Sequence, residues 1–90
     1  MTERRKKVTE QLQSIEGGET AIIFEGLDDA IIGMDRSNDG GPRLVYDRER
    51  CIRCFMEINE WDYETAEEMY EFNVAMLYAG PQTPLIIETI

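Results

Sequence analysis

The sequence contains no histidine among its 90 residues, and this absence limits the chemistry that the chain can carry out. Histidine is the most common general base and the most common metal ligand in proteins. A Ser-His-Asp or Cys-His catalytic site therefore cannot be built within this chain. Because the sequence also has no recognisable phosphate-binding loop, it indicates a protein that is not an enzyme and uses no cofactor.

Basic residues and long apolar runs are also scarce. Nine lysines and arginines stand against 19 acidic residues, which gives a formal net charge of −10. Such a chain is not expected to bind nucleic acid or anionic lipid directly, and it favours a partner with a basic surface. No run reaches the ~18 apolar residues of a membrane helix, and the basic N-terminus lacks the apolar core of a signal peptide. We therefore expect a cytoplasmic protein that does not contact a membrane.

The length and the order of strand-like and helix-like segments predict one α+β domain over residues 1–90. Segments rich in β-branched and aromatic residues predict a small, mainly antiparallel sheet. Its three-strand meander is expected at 20–25, 30–35 and 43–46, with a last strand at 84–89.

Helical periodicity predicts a helical hairpin that packs on this sheet. Its two helices are expected over 48–59, capped by Asp47, and over 63–79, capped by Asp62. A further helix is expected within residues 1–18, capped by Thr2. Its apolar stripe is thin, so we expect it to be attached loosely to the rest of the domain.

Several stretches in the middle and C-terminal parts of the chain share their order with a known family. They are Gly-Leu-Asp-Asp-Ala-Ile-Ile-Gly at 26–33, Val-Tyr-Asp and Cys within 45–51, Tyr-Glu-Thr-Ala-Glu-Glu at 63–68, Glu71-Phe72-Asn73, and Ala79-Gly80-Pro81-Gln82-Thr83-Pro84. On these residues, 26–87 resemble small uncharacterised proteins of tailed bacteriophages. The resemblance implies a viral accessory role and carries over no catalytic residue. Pro81 departs from the family pattern, which has glutamate there, so no acidic role is implied at that position.

Glutamates recur at about one-turn spacing around the start of the helix expected at 63–79. On a helix this spacing forms one acidic stripe. A row of carboxylates can mimic a row of phosphates and occupy a basic groove, while a solvated face that keeps the protein soluble is the alternative. We predict that the chain binds and inhibits a host protein, such as a defence protein, that has a basic surface. The residues predicted to bind this partner are Glu60, Trp61, Glu64, Glu67, Glu68 and Glu71.

Two other hypotheses place the function elsewhere in the chain. One is a homo-oligomer that binds or sequesters a small ligand between its subunits, lined by Asp28, Asp29, Tyr46 and Asn73. Asn73 falls on the expected apolar stripe of the last helix, where its amide could bind a ligand or tie down the loop from Gly80 to Pro84. The other is a metal-dependent enzyme that uses the carboxylates of Asp28, Asp29 and Asp47.

Two short motifs suggest metal or redox chemistry but have simpler structural interpretations. Cys51 and Cys54 form a CxxC pair, which could be redox-active, or could supply half of a zinc site in a dimer. Burial of small thiols in a helix is the favoured interpretation. Residues 35–40 match the first half of a calcium loop, but position twelve is Tyr46 instead of glutamate. We expect a polar hairpin turn there.

Overall fold

The computed structural model describes residues 2–90 and has an α+β fold, as the sequence predicts. Three helices and three strands follow one another in the order α-β-β-α-α-β. Their bounds are α1 Glu3–Gln13, β1 Ile31–Asp35, β2 Arg43–Asp47, α2 Arg48–Asn59, α3 Tyr63–Tyr70 and β3 Leu85–Ile87. Short 3-10 turns lie at Gly18–Thr20 and Asp28–Ala30, and a π-helical turn, Glu71–Ala75, follows α3.

The sheet is mixed, so the prediction of a mainly antiparallel meander is wrong. Its strand order is β1-β2-β3, with β1 antiparallel to β2 and β3 parallel to β2. Tyr46 of β2 lies beside Ile86 of β3 in the parallel register. Both α2 and α3 lie in the connection from β2 to β3, and a helical crossover of this kind allows the chain to return in the same direction.

The prediction of a first strand of the meander at 20–25 is also wrong. Residues 21–24 run without strand pairing between the two 3-10 turns. Ile23 and Phe24 pack their side chains against the core, and the backbone N–H of Phe24 donates to the hydroxyl of Tyr46 at 2.9 Å. The apolar composition of this segment therefore reflects packing against the core. The backbone N–H of Phe24 finds its acceptor on a side chain and not on a neighbouring strand.

Each helix begins where the sequence predicts, because a capping side chain accepts a hydrogen bond from a backbone N–H three residues later. The three caps are Thr2 to Arg5, Asp47 to Arg50 and Asp62 to Thr65, with distances of 2.9, 3.0 and 2.9 Å. Helix α2 has the predicted bounds of 48–59. It ends at Glu60, whose backbone is left-handed with φ of 55°.

The last helix is shorter than predicted, because the regular α-helix stops at Tyr70 instead of continuing to residue 79. The side-chain amide of Asn73 donates to the carbonyl of Met69 at 2.9 Å and so competes with the backbone for that acceptor. The ladder widens here into a π-helical turn. Asn73 is exposed, so its predicted place on the buried stripe is wrong. The buried positions are Ala66, Tyr70 and Val74.

The core lies between the sheet and the helices, and α1 contributes to it. Val8 and Leu12 of α1 are buried with residues of β1, β2, α2 and α3. A guanidinium nitrogen of Arg4 donates to the carbonyl oxygen of Ile31, at the start of β1. These contacts dock α1 on the domain and leave its remaining face to solvent.

Candidate functional site

The predicted acidic stripe is centred on α3, and part of it is open to solvent. Glu64 and Glu68 are exposed on this helix, and Glu60 is exposed at the end of α2. Within residues 2–90, no lysine or arginine nitrogen lies within 4.0 Å of these three carboxylates. We call Glu60, Glu64 and Glu68 the open carboxylates.

Two other glutamates of the stripe are held by Arg48, at the start of α2. A guanidinium nitrogen of Arg48 lies 2.7 Å from the carboxylate of Glu71 and 3.0 Å from that of Glu67. These two hydrogen bonds raise the pKa of Arg48. The guanidinium also lies 5.4 Å from the centre of the Tyr70 ring. The stripe is therefore divided into open carboxylates and carboxylates paired within the protein.

The role of Arg48 was not predicted, because this residue lies on a different helix from the glutamates that it pairs with. Arg48 precedes Glu67 by 19 residues and Glu71 by 23. Spacing arguments on one helix reach only three or four residues. No pattern in the sequence places the first turn of α2 beside the far side of α3, and the three-dimensional packing alone brings the charges together.

The aromatic residue predicted to accompany the acidic stripe is less accessible than expected. Trp61 is half-buried and packs edge-on against Phe55, with ring centres 6.3 Å apart. The projecting apolar side chains lie beyond α3 instead, where the helix expected at 63–79 does not continue as a regular α-helix. We call this group, which consists of Phe72, Met76, Leu77 and Tyr78, the apolar end.

The structure does not gather the predicted ligand-binding residues into one pocket. Tyr46 is fully buried, its hydroxyl accepts a hydrogen bond from the Phe24 backbone, and burial raises its pKa to about 12. Asn73 lies exposed beyond α3. A groove of about 620 Å³ between α1 and β1 is lined by Asp29 but by neither Tyr46 nor Asn73.

Two of the three carboxylates proposed for a metal site, those of Asp28 and Asp47, have protein partners. Asp28 accepts a hydrogen bond from the Thr2 hydroxyl at 2.9 Å. Asp47 is 3% exposed, and its two oxygens accept from the Arg50 N–H at 3.0 Å and from the Thr89 hydroxyl at 2.9 Å. The described part of the chain has no group of three or more histidine, cysteine, aspartate or glutamate side chains placed to hold a metal ion.

The two cysteines are free thiols on the inner side of α2. Cys51 is fully buried, which raises its pKa to about 12. Cys54 is half-buried, and burial followed by the charge of Asp29 raises its pKa as well. The predicted burial is confirmed. Neither environment favours the thiolate that a reactive redox pair requires.

The loop that resembles half of a calcium site is the connection between β1 and β2. Asp35 accepts hydrogen bonds from the backbone and hydroxyl of Ser37 at 3.1 and 2.7 Å, and from Nε of Arg43 at 2.9 Å. These contacts lower the pKa of Asp35, and the hydrogen bond from the Ser37 hydroxyl has the largest effect. The predicted hairpin turn is confirmed, and its first carboxylate serves to close the hairpin.

Comparisons of the chain with protein-family models, with curated proteins and with solved structures find no match. The resemblance to phage accessory proteins therefore stays a prediction from the sequence. Among the helices of residues 2–90, none combines the length and the apolar character needed to cross a membrane.

Proposed function

We propose that the protein is a small interaction protein that binds a basic surface of another protein through α3. The observation that supports this proposal is the exposure of Glu64 and Glu68, which have no cationic partner among the described residues. The rest of the C-terminal part adds to their field. Residues 54–90 contain eight acidic residues and no lysine or arginine.

Charge concentrated in one part of a small protein acts mainly on recognition. Complementary charges speed association and exclude like-charged partners more than they add to affinity. Arg48 fixes the positions of Glu67 and Glu71, so part of the acidic surface is ordered before a partner arrives. Less side-chain entropy is then lost on binding.

The resemblance to phage proteins supplies the biological part of the proposal. It suggests that the partner is a bacterial host protein in the cytoplasm and that binding inhibits it. An acidic surface would inhibit a basic groove by occupying it in place of an anionic ligand. This part rests on the sequence resemblance alone.

A pull-down with charge-reversed variants tests the proposal. The tagged full chain is incubated with bacterial lysate at low and at moderate salt, and retained proteins are identified by mass spectrometry. We expect one stoichiometric partner, lost at moderate salt and lost in the variant Glu64→Lys/Glu68→Lys. The partner's own activity is then measured with and without the purified chain, and we expect it to fall.

The matched control reverses two exposed glutamates away from α3, Glu10→Lys/Glu16→Lys. This variant changes the net charge by the same amount but leaves α3 unchanged. A partner that recognises α3 should therefore be retained. If both variants lose the partner equally, only the overall charge matters and the proposed site is wrong. If neither variant loses it, the acidic surface has no part in binding.

A further inference from the structure

The apolar end is unusually exposed for a small protein. Phe72, Met76 and Tyr78 are 71%, 79% and 77% exposed, and Leu77 is 45% exposed. Single exposed apolar residues are common, but a group of large ones in a short segment marks a surface that another molecule covers. Only Val74 of this segment points into the core.

These side chains lie on the π-helical turn after α3 and just beyond it. Val74 continues the buried line of Ala66 and Tyr70, and it holds the segment to the domain. Its neighbours are then turned toward solvent. π-Helical turns within helices are found often at functional sites. Phenylalanine, tyrosine and methionine are also the side chains that anchor protein interfaces and adapt to them.

Negative charge borders the apolar end. Glu68 precedes Phe72 by one helical turn, and Glu71 precedes it directly. Arg48 pairs with Glu71, whereas Glu68 has no cationic partner among residues 2–90, so the unpaired charge beside Phe72 is negative. A partner for the whole surface needs apolar side chains beside positive ones.

A second copy of the chain fits this surface poorly. In a two-fold dimer the same patch lies on both subunits. The carboxylates near one apolar end would then approach those of the other, and like charges brought together at an interface oppose association. Charge complementarity therefore selects a cationic partner over a second copy.

We propose that the apolar end and the open carboxylates together bind an amphipathic helix with an apolar stripe bordered by lysine or arginine. A helix separates apolar and basic side chains onto adjoining faces of one short segment, which matches the adjoining apolar and acidic parts of this surface. This inference rests on the proposed function and specifies the kind of element that the partner presents.

The test uses labelled peptides of about 18 residues, long enough to form a helix. One has leucine and lysine arranged as an amphipathic helix, and the other has the same composition in scrambled order. Binding to the full-length protein is measured by fluorescence anisotropy. We expect the amphipathic peptide to bind at least about tenfold more tightly than the scrambled one and to gain helicity on binding.

Two single substitutions make the test specific to the apolar end. Phe72→Ser is expected to weaken binding of the amphipathic peptide by about tenfold or more, as loss of an aromatic anchor does. Ile58→Ser is the control, because Ile58 is also a large exposed apolar residue, 58% exposed, but lies on α2. The control is expected to bind the peptide as the wild type does.

Other outcomes overturn this inference without deciding the proposed function. Equal binding of both peptides, insensitive to Phe72→Ser but lost in Glu64→Lys/Glu68→Lys, would mean that charge alone is recognised. Absence of peptide binding would also overturn it, while the pull-down would still test the acidic surface. Self-association in sedimentation that Phe72→Ser abolishes would show that a second copy covers the apolar end.

Discussion

The side-chain nitrogen of Gln82 donates to the carbonyl oxygen of Gly17 at 2.8 Å, although 65 residues separate the two in the sequence. The same nitrogen donates to the carbonyl of Pro42 at 2.9 Å, and the side-chain oxygen accepts from the hydroxyl of Thr20. Gln82 is only 8% exposed. One buried amide thus joins the loop after α1, the hairpin loop between β1 and β2, and the loop before β3.

Replacing this amide should therefore destabilise the fold. We expect Gln82→Ala to lower the free energy of unfolding by about 1–3 kcal/mol, because the Gly17 and Pro42 carbonyls lose their donor. Gln13→Ala, at an exposed position on α1, is the control and should cost much less. Urea unfolding followed by circular dichroism measures both. Equal costs for the two variants would contradict a role for Gln82 as a tie between loops.

Local signals in the sequence predicted the features that are decided within a few residues. The caps Asp47 and Asp62, the bounds of α2 and the turn after Asp35 all depend on contacts that span one to four positions. The last strand was predicted, but its parallel direction was not. That direction depends on the path of the chain through α2 and α3, to which no local pattern responds.

The candidate site divides in the same way. Helical spacing correctly placed Glu64 and Glu68 on an exposed helix. The pairing of Glu67 and Glu71 with Arg48 joins two helices and could not be deduced from spacing. The apolar end was missed because the composition of residues 71–79 suits a continuing helix, whereas the competing side chain of Asn73 and the anchor at Val74 change its course.

Two glycines in different surroundings, Gly18 and Gly33, should respond oppositely to alanine. A Cβ atom at Gly18 would lie 1.9 Å from the carbonyl oxygen of Leu12, so the backbone would have to move. At Gly33 of β1, a Cβ atom would meet no atom of the described residues within 4 Å.

We expect Gly18→Ala to cost about 2 kcal/mol or more, as strained substitutions do. Gly33→Ala should be neutral or stabilise the protein by about 0.5 kcal/mol, because alanine loses less backbone entropy than glycine in a strand. Thermal unfolding of the two variants beside the wild type measures the difference. A Gly18→Ala protein as stable as the wild type would contradict the close approach of this loop to α1.

Because Asp47 is a buried helix cap, the free energy of unfolding should depend on pH. Burial alone would raise its pKa, but the hydrogen bonds from the Arg50 N–H and from Thr89 outweigh burial and lower it. A carboxyl whose pKa is lower in the folded state stabilises the protein above its unfolded pKa of about 3.9. This contribution is lost as the pH falls through the folded value.

At neutral pH we expect Asp47→Ala to cost about 1–2 kcal/mol of unfolding free energy, near the upper range for a helix cap. Asp62→Ala is the matched control, since Asp62 is an exposed cap of α3 that makes one such bond, and it should cost less. Unfolding curves at several pH values measure both. The cost of Asp47→Ala should shrink below about pH 4 as the wild-type carboxyl becomes protonated. A cost that stays constant down to strong acid would contradict this assignment.

Because Arg48 pairs with Glu67 and Glu71, we predict that replacing Arg48 strengthens the binding of a cationic peptide at α3. Arg48→Gln frees two carboxylates beside the open ones, and the affinity for the amphipathic lysine peptide should rise by about threefold to tenfold. Arg53→Gln removes the same charge from a side chain that is 66% exposed and, within residues 2–90, pairs with Glu49 alone, at 3.6 Å. Its affinity for the peptide should change much less.

Salt separates a local effect of Arg48 from a general one. If the freed carboxylates contact the peptide, the affinity of Arg48→Gln should fall more steeply with ionic strength than that of Arg53→Gln. Anisotropy titrations at increasing salt measure both slopes. Weaker binding by Arg48→Gln at low salt would contradict the prediction. It would mean that the peptide needs Glu67 and Glu71 held in place by Arg48 more than it needs their uncompensated charge, since ordering a surface in advance lowers the entropy lost on binding.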